Sequence, residues 1–315
     1  MRITGNMLSN SLVAQLNTLM ARQTRLQNQA TTGQRIQAPE DDPAAMAQAL
    51  SIQEQTSAAA QYAQNISTLQ TRATAVSTSL QSLKTISDRA SEIATSADAT
   101  KSPQELQSYA VEVQQLIQQA VKLANSKDGD QYLFAGTRSD QPPFTATTDS
   151  NGNVTAVTYS GNTSVAQTEI AQGSALAVTA PGANATGAGL RGVFSDSRYG
   201  ADVFNHLLSL EAHLQSGDTS SISSTDSPAL GHDEDNLIYQ TANNGVLQSR
   251  LEAAATDNDK QTAALQQNLS TVAGADLTST LVQLSQTQNA YQTAMQSTAK
   301  ILAMQQSQSL LDYLP

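Results

Sequence analysis

Residues 43–97 keep one apolar register for about eight heptads, and nothing else in the chain restricts its fold as strongly. Ile52, Ala59, Ile66, Ala73, Leu80 and Ala94 form one seam row; Tyr62, Leu69, Val76, Leu83, Ala90 and Ala97 form the row three residues further on. Only Gln55 and Ser87 interrupt the two rows with polar side chains. A seven-residue repeat held over this length predicts a coiled-coil helix, roughly 80 Å long at 1.5 Å per residue. Such a helix is a rod, longer than an ordinary globular domain is wide. Ile86 and Ile93 broaden the seam on one side, which predicts a bundle of more than two helices around it.

The segments before and after the rod are amphipathic as well. Leu12, Leu16, Leu19 and Leu26 mark a helix over residues 8–31, with Gly33 placed to close it because glycine takes positive φ without strain. Pro39 keeps the next residues extended, and Asp42-Pro43 restarts helix. Asp42 suits the N-cap, Pro43 the first helical position, and Glu40 and Asp41 the positive end of the dipole. This acidic turn therefore needs no bound metal. Ser102-Pro103-Gln104-Glu105 is a capping box that opens a further helix, buried through Leu106, Val113, Leu116, Ile117, Ala120 and Leu123 and ending near Asn125. Asp128-Gly129-Asp130 reads as a turn, because the remaining ligands of a calcium loop are missing.

Over residues 137–198 the apolar period changes from helical to alternating, as in Val154 to Tyr159 after the Asn151-Gly152-Asn153 turn. The expectation is a small antiparallel β domain whose modest apolar content makes it the least stable and most replaceable part. Gly187-Ala188-Gly189-Leu190-Arg191-Gly192 has dinucleotide-motif spacing but neither the leading strand nor the following helix, and reads as loop. Helix returns over residues 203–215, where His206 and His213 stand seven apart, too far for a helical metal pair; they read as ordinary half-buried histidines. Residues 216–230 look like a Ser/Gly/Asp linker. A helix follows over residues 236–271, its seam diluted by Asn258, Gln261 and Asn268, which can fix register. After Gly274-Ala275-Asp276 a last helix carries Leu277, Leu281, Leu284, Tyr291, Met295, Leu302 and Leu311, with Leu314 beyond it.

The fold class expected is thus mainly α: a long antiparallel helical coiled-coil bundle formed by the N- and C-terminal segments, with a small inserted antiparallel β domain. The division would be residues 1–40 with 275–315 as a terminal coiled-coil assembly domain, 41–136 with 199–274 as a helical rod, and 137–198 as the insertion.

Composition narrows the function classes. The net charge of −11 and pI near 4.6 leave no basic face for nucleic acid. Charged residues make up 14%, against about 25% in a typical protein, and Gln, Ser, Thr and Asn supply the polar surface instead. There is no cysteine for a disulfide or thiolate site. The start lacks an apolar stretch and no run of about 18 apolar residues occurs anywhere, so neither a general secretory signal nor a membrane span is expected. Nucleophile elbows, zinc-binding helix pairs and P-loops are absent, and the three histidines are scattered. The reading is a non-enzyme without cofactor or metal. The two terminal stripes bury too little to order themselves alone, so their partners would be neighbouring copies. The same stripes offered by every copy generate an open helical array or a ring.

Thr32-Gly33-Gln34-Arg35-Ile36-Gln37-Ala38-Pro39-Glu40-Asp41-Asp42-Pro43-Ala44 resembles the N-terminal signature of the flagellin superfamily, in which a Ser/Thr-Gly-x-Arg-Ile/Val turn leads into an Asp-Asp helix start. The Pro-x-Asp-Asp-Pro-Ala form is closer to the hook-associated branch than to flagellin. So are Met1-Arg2-Ile3, Tyr132-Leu133-Phe134-Ala135-Gly136 and the ending Ser309-Leu310-Leu311-Asp312-Tyr313-Leu314. The resemblance covers both ends and the flanks of the insertion. It implies a structural adapter at the hook–filament junction of the bacterial flagellum, with a flagellin-type filament subunit as the alternative. It further implies type III export without a cleaved signal, an extracellular location, and contacts with copies of itself, with another hook-associated protein and with flagellin. A cytoplasmic export chaperone would cover residues 277–314. Leu12, Leu16, Leu19, Leu26, Arg35, Asp41, Asp42, Pro43, Leu284, Tyr291, Met295, Leu302, Leu311 and Leu314 are the assembly residues that these stripes and this turn single out.

Overall fold

The heptads of residues 43–97 become a single helix. A computed structural model describes residues 2–178 and 180–311, with side chains for all of these except 2–9, 302 and 305–311. The helices are α1 (Arg2–Thr32), α2 (Pro43–Ser96), α3 (Pro103–Ala124), α4 (Val203–Ser216), α5 (Thr219–Ser221), α6 (Ser227–Ala273) and α7 (Leu277–Leu311). The strands are β1 (Lys127–Asp128), β2 (Gln131–Tyr132), β3 (Phe144–Thr148), β4 (Val154–Tyr159), β5 (Thr168–Ala171), β6 (Ser174–Leu176), β7 (Ala183–Asn184), β8 (Ser195–Asp196) and β9 (Ala201–Asp202). The chain divides into two units, Met1–Ala58 with Gln261–Pro315 and Ala59–Lys260.

In the first unit α1 packs on α7. Gly33 takes φ 69° just past α1, and residues 34–35 then bond the break between α6 and α7. Gln34 bridges Gly274; the Arg35 N–H donates to Ala273 O at 2.7 Å, and the Ala275 N–H donates to Gly33 O at 2.8 Å. The C-terminal end of α1 thus lies beside the N-terminal end of α7, and the two helices run antiparallel. Leu26, Ile36, Ile52, Leu265 and Ala273 are buried in this unit.

In the second unit the seam rows of α2 are buried as the heptads require, from Ala59 and Ile66 to Ala94 and Ala97. From Val76 onward they share a core with Leu106, Val113 and Ile117 of α3 and Leu207, Leu210 and Leu214 of α4, while Ile66, Leu69 and Ala73 pack with Ile170, Leu176, Val178 and Leu251. The capping box forms: the Glu105 N–H donates to Ser102 Oγ, and the Ser102 N–H donates to the Glu105 carboxylate at 2.8 Å. Long α6 runs antiparallel to α2. Asn258 Nδ2 donates to Ala59 O at 3.1 Å, while Asn244 and Gln248, a turn apart, both donate to Ala73 O. Alanines at positions 59 and 73 let the amides reach those carbonyls. Asn258 therefore has the register role that its place in the seam predicts, whereas Gln261 and Asn268 face outward and do not dilute the seam.

Two expectations are corrected. Residues 216–230 are not a linker. Helix begins at Thr219, passes through a π turn at Ile222–Asp226, where the Ser227 N–H donates to Ile222 O, and continues as α6. Ile222, Asp226 and Leu230 are buried there, so burial overrides the low helix propensity of the serines and threonines. Second, the strands are not a loosely attached part. Phe144, Val154, Val193 and Phe194 sit in the helical core, and the chain's four phenylalanines meet: Phe194 lies 5.3 Å from Phe134, 5.1 Å from Phe144 and 5.6 Å from Phe204, ring centre to ring centre. The sheets are small and mostly antiparallel, as expected. β1–β2, β3–β4, β5–β6 and β8–β9 are antiparallel pairs, and β7 pairs with β8 in parallel. Residues 187–192 form a loop as expected, with Asn184 Nδ2 donating to Ala188 O and Leu190 O at 2.7 Å each.

Candidate assembly surface

The turn at residues 33–43 owes its shape to two carboxylates. Asp41 Oδ2 accepts the Gln37 and Ala38 N–H groups, at 3.1 Å each, closing the loop on itself. These two bonds, with Arg25 3.7 Å away adding a smaller Coulombic pull, hold the Asp41 carboxyl below its usual range. Asp42 caps α2 by accepting the Ala45 N–H at 3.0 Å, with Pro43 as the first helical residue. Ile36, which the periodic reading passed over, is buried and anchors the loop.

Arg35 joins this turn to the second break of the unit. Its guanidinium donates to Val272 O at 3.1 Å and lies 3.5 Å from the Asp42 carboxylate. The Gln29 side chain donates to Arg35 O at 2.9 Å. On the opposite strand of chain Asp276 caps α7, accepting the Thr278 and Ser279 N–H groups. The Arg35–Asp42 pair is half exposed and adds at most about 1 kcal/mol. Its value is positional, since it ties the α1–α2 turn to the end of α6. The sequence marks Gly274-Ala275-Asp276 as a helix break, but not its pairing with the 33–35 turn.

The stripes divide into a buried and an open side. Leu12, Leu16 and Leu19 are half-buried and Leu26 is buried; on α7 Leu284 and Tyr291 are half-buried. Among the described α7 side chains Thr280 and Thr287, not leucines, are the most buried. Met295 points outward, in company with Val13, Met20, Leu277, Leu281 and Val282, each 47–58% exposed. The side chains of Leu302 and Leu311, and the whole of Leu314, lie outside the described residues. Among the described residues no three His, Cys, Asp or Glu side chains gather as metal ligands, and no helix is long and apolar enough to cross a membrane. What remains is a firmly built turn beside two helices with apolar residues left open, a geometry for packing against further helices.

An antiparallel pair of terminal helices bonded to the Gly33–Ile36 turn, and a second unit of long helices with short β ribbons, make up a fold shared with solved flagellar hook-associated proteins. Residues 3–139 match the model of the bacterial flagellin N-terminal helical region. A curated relative is named flagellar hook-associated protein 3. The protein of that name from Salmonella typhimurium is 27% identical over 146 residues, 46% of either chain, so the chain spans under half of that curated relative. Solved structures share the fold over more of the chain. A protein from Vibrio parahaemolyticus described as flagellar hook-associated superposes with a TM-score of 0.63 at 20% identity, covering 74% of this chain and 99% of its own. FlgL from Xanthomonas campestris gives 0.56 at 18% identity, covering 70% and 99%. FlgL from Bacillus cereus gives 0.53 at 21% identity, again covering 70% and 99%.

Proposed function

We propose that this chain is a structural adapter of the bacterial flagellum, joining another hook-associated protein to the first flagellins at the hook–filament junction by helix packing between subunits. The observation that carries the reading is the open side of the α1–α7 pair. Val13, Met20, Leu277, Leu281, Val282 and Met295 are exposed on helices whose register the bonded turn already fixes. Burying a large apolar side chain stabilises by roughly 1.5–3 kcal/mol, so neighbouring subunits that cover these residues are favoured over water. The resemblance to hook-associated protein 3 supplies the setting: an extracellular structural role without catalysis, copies of the same chain alongside, and an export chaperone at the C-terminal helix before secretion.

Deleting residues 302–315 tests this. The truncated chain should fail to enter the junction while its second unit keeps its helical circular dichroism; normal incorporation would remove the reading. Purified full-length protein should also stay unpolymerised without its neighbours. Long filaments formed by it alone would favour a flagellin-type subunit instead.

A further inference from the structure

Two histidine–aspartate pairs join α4 to the helix that follows it, and both carboxylates are inside the protein. His206 Nδ1 lies 2.8 Å from Asp233 Oδ2, and His213 Nδ1 lies 2.7 Å from Asp226 Oδ2. Asp226 and Asp233 are each 1% exposed. The seven-residue spacing of the aspartates matches that of the histidines, so the two pairs form rungs between paired helices. Asp226 is the last residue of the π turn, where one extra residue enters the helical turn; such turns are local irregularities often tied to function. Its second oxygen accepts from Ser209 Oγ at 2.7 Å, and Asp233 accepts the Asp202 N–H at 2.7 Å.

We propose that this ladder is a proton-set latch. With its imidazole charged, His206 grips Asp233 and, with the His213–Asp226 rung beside it, keeps residues 218–236 wound; loss of the His206 proton loosens this segment while the rest of the second unit stays folded. A buried carboxylate is costly unless it is paired and hydrogen-bonded, and a charged donor binds it about twice as strongly as a neutral one. The charged neighbours are almost all acidic. Asp202 sits at the start of α4, Glu211 on α4 is bonded by Gln215, and Asp218 caps α5; Asp226, Asp233 and the adjoining His232 belong to the π turn and α6. From α3 the core receives the apolar row Leu106, Ala110, Val113 and Ile117, and from β4 Val154. Burial opposes charge on His206, but the Asp233 bond and charge, with Asp202 and Asp226 behind it, outweigh burial and raise its pKa above the ordinary 6.5. Burial raises the Asp233 carboxyl as well, so the pair is lost when pH falls through that raised value; between the two the His206 stabilisation is present below 6.5 and fades as pH rises through the raised His206 value.

The test is amide exchange of the full-length chain from pH 5.5 to 8.5, read as protection factors corrected for intrinsic exchange, alongside the histidine ring resonances. Protection over residues 218–236 should fall roughly fivefold or more as pH rises, with α3 as an unchanged reference. His206→Asn with His213→Asn keeps a neutral donor at each position and should abolish that dependence. Flat protection in the unaltered chain, a fall that persists in the double variant, or a His206 titration midpoint at or below 6.5 would each overturn the latch. The unaltered chain decides the matter even if the variant does not fold.

Discussion

Phe194→Ala should unfold the second unit far more readily than a substitution in a detachable domain could. The ring is 1% exposed and touches Phe134, Phe144 and Phe204, which come from three separate stretches of chain. Truncating a buried phenylalanine costs about 3–5 kcal/mol, including the cavity left behind. Each aromatic contact contributes about 0.5–1.5 kcal/mol beyond simple burial, and three are lost together, which favours the upper half of that range. With a urea m-value near the top of the usual 1–3 kcal/mol/M, about 4 kcal/mol lowers the midpoint by roughly 1.5 M. The assay is urea unfolding followed by circular dichroism at 222 nm, which reads the helices and not the strands. A shift below about 0.5 M would show that the Phe194 segment does not support the helical core, and the integration of the β region into the second unit would fail with it.

Asn236→Ala removes a buried side chain that donates to Gly192 O and Val193 O inside the protein and accepts from half-buried Arg191 Nε. A loss of about 2–3 kcal/mol is expected in the same urea assay. Arg35→Ala should change the melting temperature by only a few degrees, because its ion pair is half exposed. It should nonetheless reduce incorporation into junctions, scored on isolated flagella. Glu112 is held below its usual pKa first by the bidentate hydrogen bond from Arg89 and then by that residue's charge. Its contribution to the α2–α3 contact is therefore present above pH 4.5 and lost as pH falls through the lowered value. Arg89→Gln should flatten that part of an acid-unfolding curve.

The helices that repeat strictly were legible because their burial follows a fixed period. The α2 rows, the Ser102 capping box and the Asp42-Pro43 start each rest on neighbours within a few residues. What stayed hidden depends on distant chain. Residues 216–230 read as linker because Ser, Thr and Asp dominate, yet Ile222 joins the shared core and Asp226 is held by His213 and Ser209 of α4, thirteen and seventeen positions back. The amides of Asn236, Gln240, Asn244 and Gln248 look like solvent residues in a polar helix. At a spacing of four they form a ladder that bonds carbonyls of residues 191–193 and of Ala73. The assembly turn was found through its motif, but its bonds to residues 272–276 link positions more than two hundred apart. No local period encodes such a pairing.

Amide exchange over α1 and α7, compared between the free subunit at micromolar concentration and subunits within assembled junctions, tests the central claim most directly. The α1–α7 pair leaves Val13, Met20, Leu281 and Met295 to water in the single chain. Low protection in the free subunit that rises severalfold on assembly is the predicted result. Full protection of both helices in the free subunit, unchanged by assembly, would contradict it.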